Sequence, residues 1–135
     1  MEETVAKHLF HRKIGSLINL EDFYNNSNLK ILKDRACDRK GRQIHLGKKN
    51  APRNARFCDV DILIATEKEA KVIIEIEESN VKPIHLFGKF FATACSECYY
   101  DYDNKEDQPL DFSDSVLFIQ VLKTPGLKRA SRKPL

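Results

Sequence analysis

Two runs of alternating apolar and polar residues stand side by side in the middle of the chain. Side chains of a strand alternate between its two faces, so residues 59–65 and 71–77 predict two strands joined by a short charged turn. Antiparallel pairing that sets Asp61 opposite Glu75 or Glu77 gives this hairpin one apolar face and one acidic face. The acidic face contains four carboxylates and no lysine or arginine: Asp59, Asp61, Glu75 and Glu77.

Weaker patterns on both sides of the hairpin predict the remaining elements. Apolar residues at helical spacing indicate a helix over 2–20 and another over 83–99, which a proline begins. Partial alternation favours a strand over 29–37 and a short one over 43–46 within a basic loop or hairpin excursion. The polar residues 101–113 predict a loop, and the nearly all-apolar run 115–122 is typical of a strand buried on both faces.

The order α-β-β-β-α-β predicts an α/β fold with a mixed β-sheet flanked by helices. The length of 135 residues fits a single domain over 1–124. The basic tail 125–135 is either flexible or the start of a further segment. No apolar run approaches the roughly 18 residues that a membrane span requires, so no membrane is expected. The N-terminus lacks a signal-peptide pattern, and the four cysteines then suggest reduced thiols in a cytoplasmic protein.

The net charge of +3 is unevenly distributed along the chain. Residues 30–56 hold ten lysines or arginines against two aspartates, a local balance of +8, and residues 123–135 add five more without an acid. Basic segments around an acidic centre suit a polyanionic substrate that is cut with the help of a metal ion. Four crowded carboxylates favour Mg²⁺ or Mn²⁺, whereas the alternative is a solvated polar face of an amphipathic hairpin.

The central residues also resemble the motif of the PD-(D/E)XK nuclease superfamily. Asp61 in one strand, a hairpin turn, Glu75-Ile76-Glu77 in the next strand and a following helix match that motif. The resemblance implies a restriction-endonuclease-like core and a metal-dependent endonuclease that hydrolyses phosphodiester bonds of DNA. It further implies Mg²⁺ (or Mn²⁺) bound by Asp61 and Glu75, and Glu77 is expected either to be a further ligand or to accept a proton from the attacking water. Enzymes of this superfamily commonly act as dimers, so a homodimer is expected.

Glu77 stands where the family usually has a lysine, and that departure leaves a positive role to be filled. Lys89 on the following helix is the preferred candidate, and Lys82 is the alternative. Asp59 competes with Asp61 as a ligand. An acid from the first helix is common in the family, with Glu3 ranked before Glu21. The residues expected to contact the nucleic-acid backbone are basic and precede the first strand of the hairpin: Lys48, Lys49, Arg53 and Arg56.

Other residues that could carry chemistry have simpler interpretations. Cys95 and Cys98 form a CxxC pair, but both fall on the predicted apolar stripe of the second helix, where cysteine behaves as a small hydrophobe. His8 and His11 are expected to be solvated or to cap a helix, and the tyrosines after residue 98 are expected to pack. Two further functions stay open: an inactive nucleic-acid-binding module on the same fold, and an α/β protein-interaction domain.

Overall fold

A computed structural model describes residues 8–19, 28–48, 57–79, 82–101 and 110–123, which form two helices and one mixed sheet of seven strands. This confirms the predicted α/β fold. The helices are α1 (Leu9–Leu17) and α2 (Pro83–Ala94). The strands are β1 (Leu29–Lys33), β2 (Ile44–Gly47), β3 (Cys58–Val60), β4 (Ile62–Thr66), β5 (Glu69–Glu77), β6 (Cys98–Asp101) and β7 (Leu110–Leu122).

The strand order across the sheet is β1-β4-β5-β7-β6-β2-β3. Neighbours pair antiparallel except for β5 and β7, which are parallel and therefore need a crossover connection, of which α2 is a part. Four strands separate β3 from β4 in this order, although Asp61 alone separates them in the chain. Two Cα steps reach at most about 7 Å. The sheet therefore curves so that β3 returns towards β4, with Asp61 at the joint.

The hairpin of β4 and β5 has one of the two predicted registers, the one that sets Asp61 with Glu75. Ile62 lies opposite Ile74 and Leu63 opposite Ile73, so one further step along the same register sets Asp61 alongside Glu75. The prediction of one apolar and one acidic face is wrong, however. Leu63 and Ile73 are fully buried on the face that was expected to be acidic, because packed layers cover both sides of the hairpin.

Two apolar clusters cover the two faces of the central strands. On one face, Ile62, Ile64, Ile74 and Ile76 pack with Cys37 and with the apolar side of α1. On the other face, Leu63 and Ile73 belong to a cluster that includes buried residues of the curved half of the sheet: Ile44, Leu46, Val60 and Tyr99. Each fully buried aliphatic side chain stabilises the fold by about 1.5–3 kcal/mol. The hairpin that holds the acidic residues is thus packed on both of its faces.

Helix α1 approaches the loop after β1 so closely that only glycine fits at the contact. A Cβ atom on the buried Gly15 would lie 2.4 Å from the backbone oxygen of Cys37. The Lys33 Nζ atom donates a hydrogen bond of 2.6 Å to the Gly15 carbonyl from the same side. This contact holds α1 against the end of β1, where Lys33 pairs with Ile62 at the start of β4. It thereby fixes the position of the side chains that α1 contributes there.

Several predicted boundaries are corrected. Helix α2 ends at Ala94, with Cys95 as its C-cap, instead of continuing to residue 99. The Ser96 hydroxyl donates to the Ala92 carbonyl, and the chain then enters β6, which pairs with β2. Cys95 and Cys98 therefore do not share a helical stripe, and none of the four cysteines forms a disulfide.

Strand β7 begins at Leu110, so the predicted loop 101–113 is wrong at both of its ends. The expectation that residues 115–122 are buried on both faces is also wrong. Phe118 packs inward, whereas Leu117 is 58% and Ile119 37% exposed on the alternate face. Strand β2 confirms the short strand predicted over 43–46, Asp61 divides the predicted strand 59–65 into β3 and β4, and β6 was not predicted. No described helix is long and apolar enough to cross a membrane.

Candidate metal centre

Asp61 occupies the bend between β3 and β4 and is held there by backbone groups. The regular pairing of β4 with β5 ends at Ile62 and Ile74, so the amide of Ile76 needs another acceptor. The Asp61 Oδ2 atom accepts that hydrogen bond at 2.7 Å. The Asp61 carbonyl accepts a second bond, of 2.9 Å, from the Asp34 amide. The carboxylate is therefore fixed beside the last residues of β5 and lies next to Glu75.

Glu75 is a carboxyl group in a nearly dry environment. The residue is 2% exposed, and its Oε1 atom has no hydrogen-bond partner among the described residues. Burial raises the pKa of Glu75 to about 9, and the negative charge of Asp61 adds to the effect. A buried polar atom without a partner costs on the order of 1–3 kcal/mol. A cation held between Glu75 and Asp61 would satisfy this oxygen and remove the repulsion between the two carboxyls.

Glu77 lies two residues further along β5 and faces a lysine. The Lys89 Nζ atom of α2 lies 3.5 Å from Glu77 Oε2 and 3.9 Å from Glu75 Oε2. Ser79 donates two hydrogen bonds to Glu77, of which the hydroxyl bond measures 2.7 Å. Burial opposes ionisation, but these bonds and the lysine lower the pKa of Glu77. The two glutamates, although on one strand, thus differ in protonation state at neutral pH.

Lys89 is the lysine that the fold brings to the carboxylates. Burial disfavours its charged form, yet the negative charges of Glu75 and Glu77 raise the pKa of Lys89 above its ordinary value. It remains protonated at any physiological pH. The alternative, Lys82, is exposed at the N-cap of α2, before the first turn.

His11 completes the cluster, and the sequence pattern did not indicate it. Its Nδ1 atom lies 2.7 Å from Glu78 Oε1, and its Nε2 atom lies 3.6 Å from Asp61 Oδ1. Burial alone would lower the pKa of His11, but the two carboxylates outweigh burial and raise it to about 9. The expectation of a solvated or capping role is wrong for His11, since its side chain is 14% exposed. Its partners are 50 and 67 residues away in the chain, so no local pattern could have indicated them.

Asp34 is a further carboxyl group that the sequence analysis missed. Ligand-type atoms of Asp34, Cys37 and Asp61 all lie within 4.8 Å of one another. Burial, followed by the charge of Asp61, raises the pKa of Asp34 to about 6. Burial also raises the pKa of the Cys37 thiol far above its ordinary value, and a protonated thiol is a poor metal ligand. Asp34 therefore extends the carboxylate cluster, whereas Cys37 belongs to the core.

Other predicted residues do not reach this cluster. Asp59 lies before the bend and bonds to Gln43 Nε2, at 3.0 Å, and to His45 on β2. Lys48 forms an ion pair of 3.1 Å with Glu97, and Tyr99 is fully buried, as packing requires. The other predicted nucleic-acid contacts and the two acids considered for the metal site lie outside the described part of the chain: Lys49, Arg53 and Arg56, and Glu3 and Glu21.

The structure therefore brings together three of the carboxylates that the sequence grouped, with Lys89, and adds His11 and Asp34. A hard cation fits this donor set, because carboxylate oxygens are its preferred ligands. Comparison of the chain with protein-family models, with curated proteins and with solved structures found no match. The fold and the site therefore describe an α/β protein with a mixed sheet and a partly buried carboxylate cluster at one end of β5.

Proposed function

We propose that this protein is a metal-dependent endonuclease that hydrolyses phosphodiester bonds of DNA. In this proposal Asp61, Glu75 and Glu77 hold Mg²⁺ or Mn²⁺. The observation that carries it is the orphaned Oε1 atom of Glu75 beside the carboxylate of Asp61. An ordinary polar surface does not bury a carboxyl oxygen without a hydrogen-bond partner. A cation-binding site does, because the bound cation becomes the partner of that oxygen.

The strand arrangement supports this reading of the site. When β2, β3 and β6 are set aside, the remaining order is α1-β1-β4-β5-α2-β7. In that subset β1, β4 and β5 form an antiparallel meander, and α2 lies in the connection to a parallel β7. The same α-β-β-β-α-β order is what the resemblance to restriction-endonuclease-like proteins implies. Asp61 and the Glu75-Ile76-Glu77 motif fall at the start of the second strand and the end of the third strand of this subset.

Each side chain of the cluster has a role that its environment allows. When bound, the cation would lower the pKa of a water molecule and shield the negative charge of the phosphate. Glu77, ionised at neutral pH, can accept a proton from the attacking water. Lys89 offers a permanent positive charge, which stabilises the charge that develops on the phosphoryl oxygens. Lys89 would thus supply the positive group that a lysine in place of Glu77 would otherwise provide.

His11 acts through Asp61 rather than on the substrate. Its ring is fixed by Glu78 on one side and faces Asp61 Oδ1 on the other. The Ile76 amide holds the second oxygen of Asp61. The carboxylate is thus oriented from two sides before any cation binds, which is what precise ligand positioning requires.

The test is nicking of supercoiled plasmid in the presence of Mg²⁺ or Mn²⁺, with an EDTA control. Asp61→Asn should abolish nicking. The matched control is Asp59→Asn, which removes the same charge two residues away on a side chain outside the cluster, and it should retain activity. DNA binding without nicking under all metal conditions would overturn the nuclease proposal in favour of a binding module. Absence of both DNA binding and metal binding would favour a protein-interaction domain.

A further inference from the structure

A cleft of about 700 Å³ lies next to the carboxylate cluster, in the loop between β1 and β2. Pockets for small ligands span roughly 300–1,000 Å³, so its volume suits one nucleotide. Its described lining includes two cationic side chains and two polar ones: Arg35, Arg42, Asp34 and Gln43. The cleft and the carboxylate cluster share Asp34, whose amide bonds to Asp61.

The loop that forms this cleft is held in place by its own backbone. The Asp34 carbonyl accepts hydrogen bonds from the amides of Cys37 and Asp38, and the amide of Arg42 bonds to the Lys33 carbonyl at 3.1 Å. Gly41 passes so close that a Cβ atom there would lie 2.3 Å from the Asp34 oxygen. The chain therefore turns back on itself, and Arg35 and Arg42 both reach the cleft although seven positions separate them. The fixed backbone therefore keeps the two exposed arginine side chains on the same cleft.

We propose that this cleft binds the nucleotide adjacent to the scissile phosphate, with Arg35 and Arg42 contacting a backbone phosphate. The proposal rests on the proposed nuclease function and identifies where the substrate strand runs. Guanidinium groups bind phosphate oxygens in a bidentate manner, and the arginine pair lies directly beside the acidic residues that would repel the same strand. The cleft thus supplies the attraction that the carboxylate cluster lacks.

The test measures DNA affinity by fluorescence anisotropy of a labelled duplex, with Ca²⁺ in place of Mg²⁺. The cleft variant is Arg35→Ala/Arg42→Ala. The matched control is Arg39→Ala/Lys40→Ala, which removes the same charge from two exposed residues of the same loop that do not line the cleft. We expect the cleft variant to weaken binding by roughly tenfold or more and to reduce the salt dependence by about two phosphate contacts. The control should change the affinity much less.

Equal losses in the two variants would overturn the cleft proposal, because a general basic surface would explain them. A wild-type protein that does not bind DNA would overturn it as well. Plasmid nicking separates this outcome from the proposed function. If nicking persists in the cleft variant with an unchanged KM, the cleft proposal fails while the nuclease proposal stands. If the wild type binds through the cleft but does not nick, hydrolysis fails, and with it the position beside a scissile phosphate, and only a DNA-binding cleft is left.

A second, independent observation concerns the outer side of α2. Ile84 and Phe87 are each 72% exposed and Phe91 is 69% exposed, at the spacing of one helical stripe. Gly88 lies within this stripe, and a Cβ atom there would meet open space. The inner side of the helix is occupied by Lys89, Thr93 and Phe90, whose ring contacts Phe118. The outward face of α2 is thus apolar and uncharged.

The outward face exposes a large apolar area. Phe87 and Phe91 expose 72% and 69% of their surface. At 150–250 Å² for each aromatic side chain, they leave roughly 200–350 Å² uncovered, before Ile84 is added. A standard interface buries about 800 Å² on each partner, of which about 65% is apolar in homodimers. The outward face of α2 therefore supplies most of the apolar surface that one side of a homodimer requires.

We infer that this face binds α2 of a second copy of the chain. A twofold interface must be self-complementary, so one surface has to carry both a protrusion and a matching depression. Phe87 and Phe91 are protrusions, and the backbone at Gly88 between them is a depression. Two such helices that cross at Gly88 would each place a phenylalanine over the other's glycine.

The test is sedimentation velocity over a range of micromolar protein concentrations. The wild type should sediment as a dimer and Phe87→Glu as a monomer with unchanged circular dichroism. Leu17→Glu is the matched control, since Leu17 is 64% exposed on α1, and it should stay dimeric. Gly88→Cys in a Cys95→Ser background should form a disulfide-linked dimer on oxidation. A monomeric wild type, or a dimer that survives Phe87→Glu, would overturn this inference and assign the face to another occupant.

Discussion

Replacement of Glu75 by glutamine separates two effects on stability: the loss from burying this carboxyl without a cation, and the gain when a cation binds. The folded protein raises the pKa of Glu75 from 4.5 to about 9, so the group is protonated at pH 7 when no cation is bound. In the unfolded chain it is ionised at that pH. The contribution of the raised pKa of Glu75 to the free energy of unfolding is therefore fully present below pH 4.5 and is lost as the pH rises through about 9.

The size of the effect follows from the same values. Protonating a group of ordinary pKa 4.5 at pH 7 costs about 3 kcal/mol, at about 1.4 kcal/mol for each pH unit. Glutamine resembles the protonated acid in shape and carries no such cost. In EDTA at pH 7, Glu75→Gln should therefore unfold with a free energy higher than that of the wild type by up to about 3 kcal/mol. The difference should vanish near pH 4.5.

Urea denaturation in EDTA at several pH values measures this difference. Mg²⁺ at a thousandfold excess over the Kd should then reverse the order, because binding stabilises the wild type by about 4.1 kcal/mol. Glu77→Gln is the internal control. Since the fold lowers the pKa of Glu77, loss of its charge should destabilise the protein in EDTA. If Glu75→Gln is less stable than the wild type in EDTA at pH 7, Glu75 is ionised and paired, and the reasoning fails.

Three further outcomes follow from described contacts. Lys89→Ala should slow plasmid cleavage by roughly 100-fold or more at saturating Mg²⁺, while Lys82→Ala leaves it nearly unchanged; equal effects would show that Lys89 has no special role. Gly15→Ala should destabilise the fold by about 1–3 kcal/mol in urea denaturation because its Cβ atom would meet the Cys37 carbonyl, whereas the neighbouring Ser16→Ala should cost far less. The raised pKa of His11 provides stability that is present below pH 6.5 and lost as the pH rises through about 9. The variant His11→Asn should therefore lower the free energy of unfolding by on the order of 2 kcal/mol near pH 6 and by little above pH 9. A loss of stability that does not depend on pH would refute this origin.

The sequence was informative where a local period coincides with a buried strand. The β4–β5 hairpin was predictable, because two apolar runs flank a short charged turn, and pairing of the acidic residues narrowed its register to two choices. The bend at Asp61 was not predictable, since the alternation continues through it. The bend separates Asp59 from Asp61 and sends Val60 to a different cluster from Ile62. The bend at this one residue thus determines that Asp61, and not Asp59, lies beside the glutamates.

Long-range contacts account for most of what sequence patterns missed. His11 and Asp34 reach Asp61 only because α1 packs on one face of the hairpin and the loop after β1 bonds to the bend. The strand at residues 98–101 escaped prediction because the apolar spacing of α2 continues past its end. Pairing with β2 then overrides that local pattern. Lys89 could be predicted because it follows the motif on a rigid helix of known direction.

The bend at Asp61 also connects the β2–β3 hairpin to the central strands of the sheet. The β2–β3 hairpin leaves the central strands through the loop after β1 and returns to them through Asp61. A cation shared by Asp61 and the glutamates of β5 would clamp this return point and so restrain the angle at which the hairpin meets the central strands. Amide hydrogens of β2 and β3 would then exchange more slowly with solvent in the presence of the cation, although no residue of either strand is a ligand. Binding of a cation at the metal centre would thus increase the local stability of the β2–β3 hairpin.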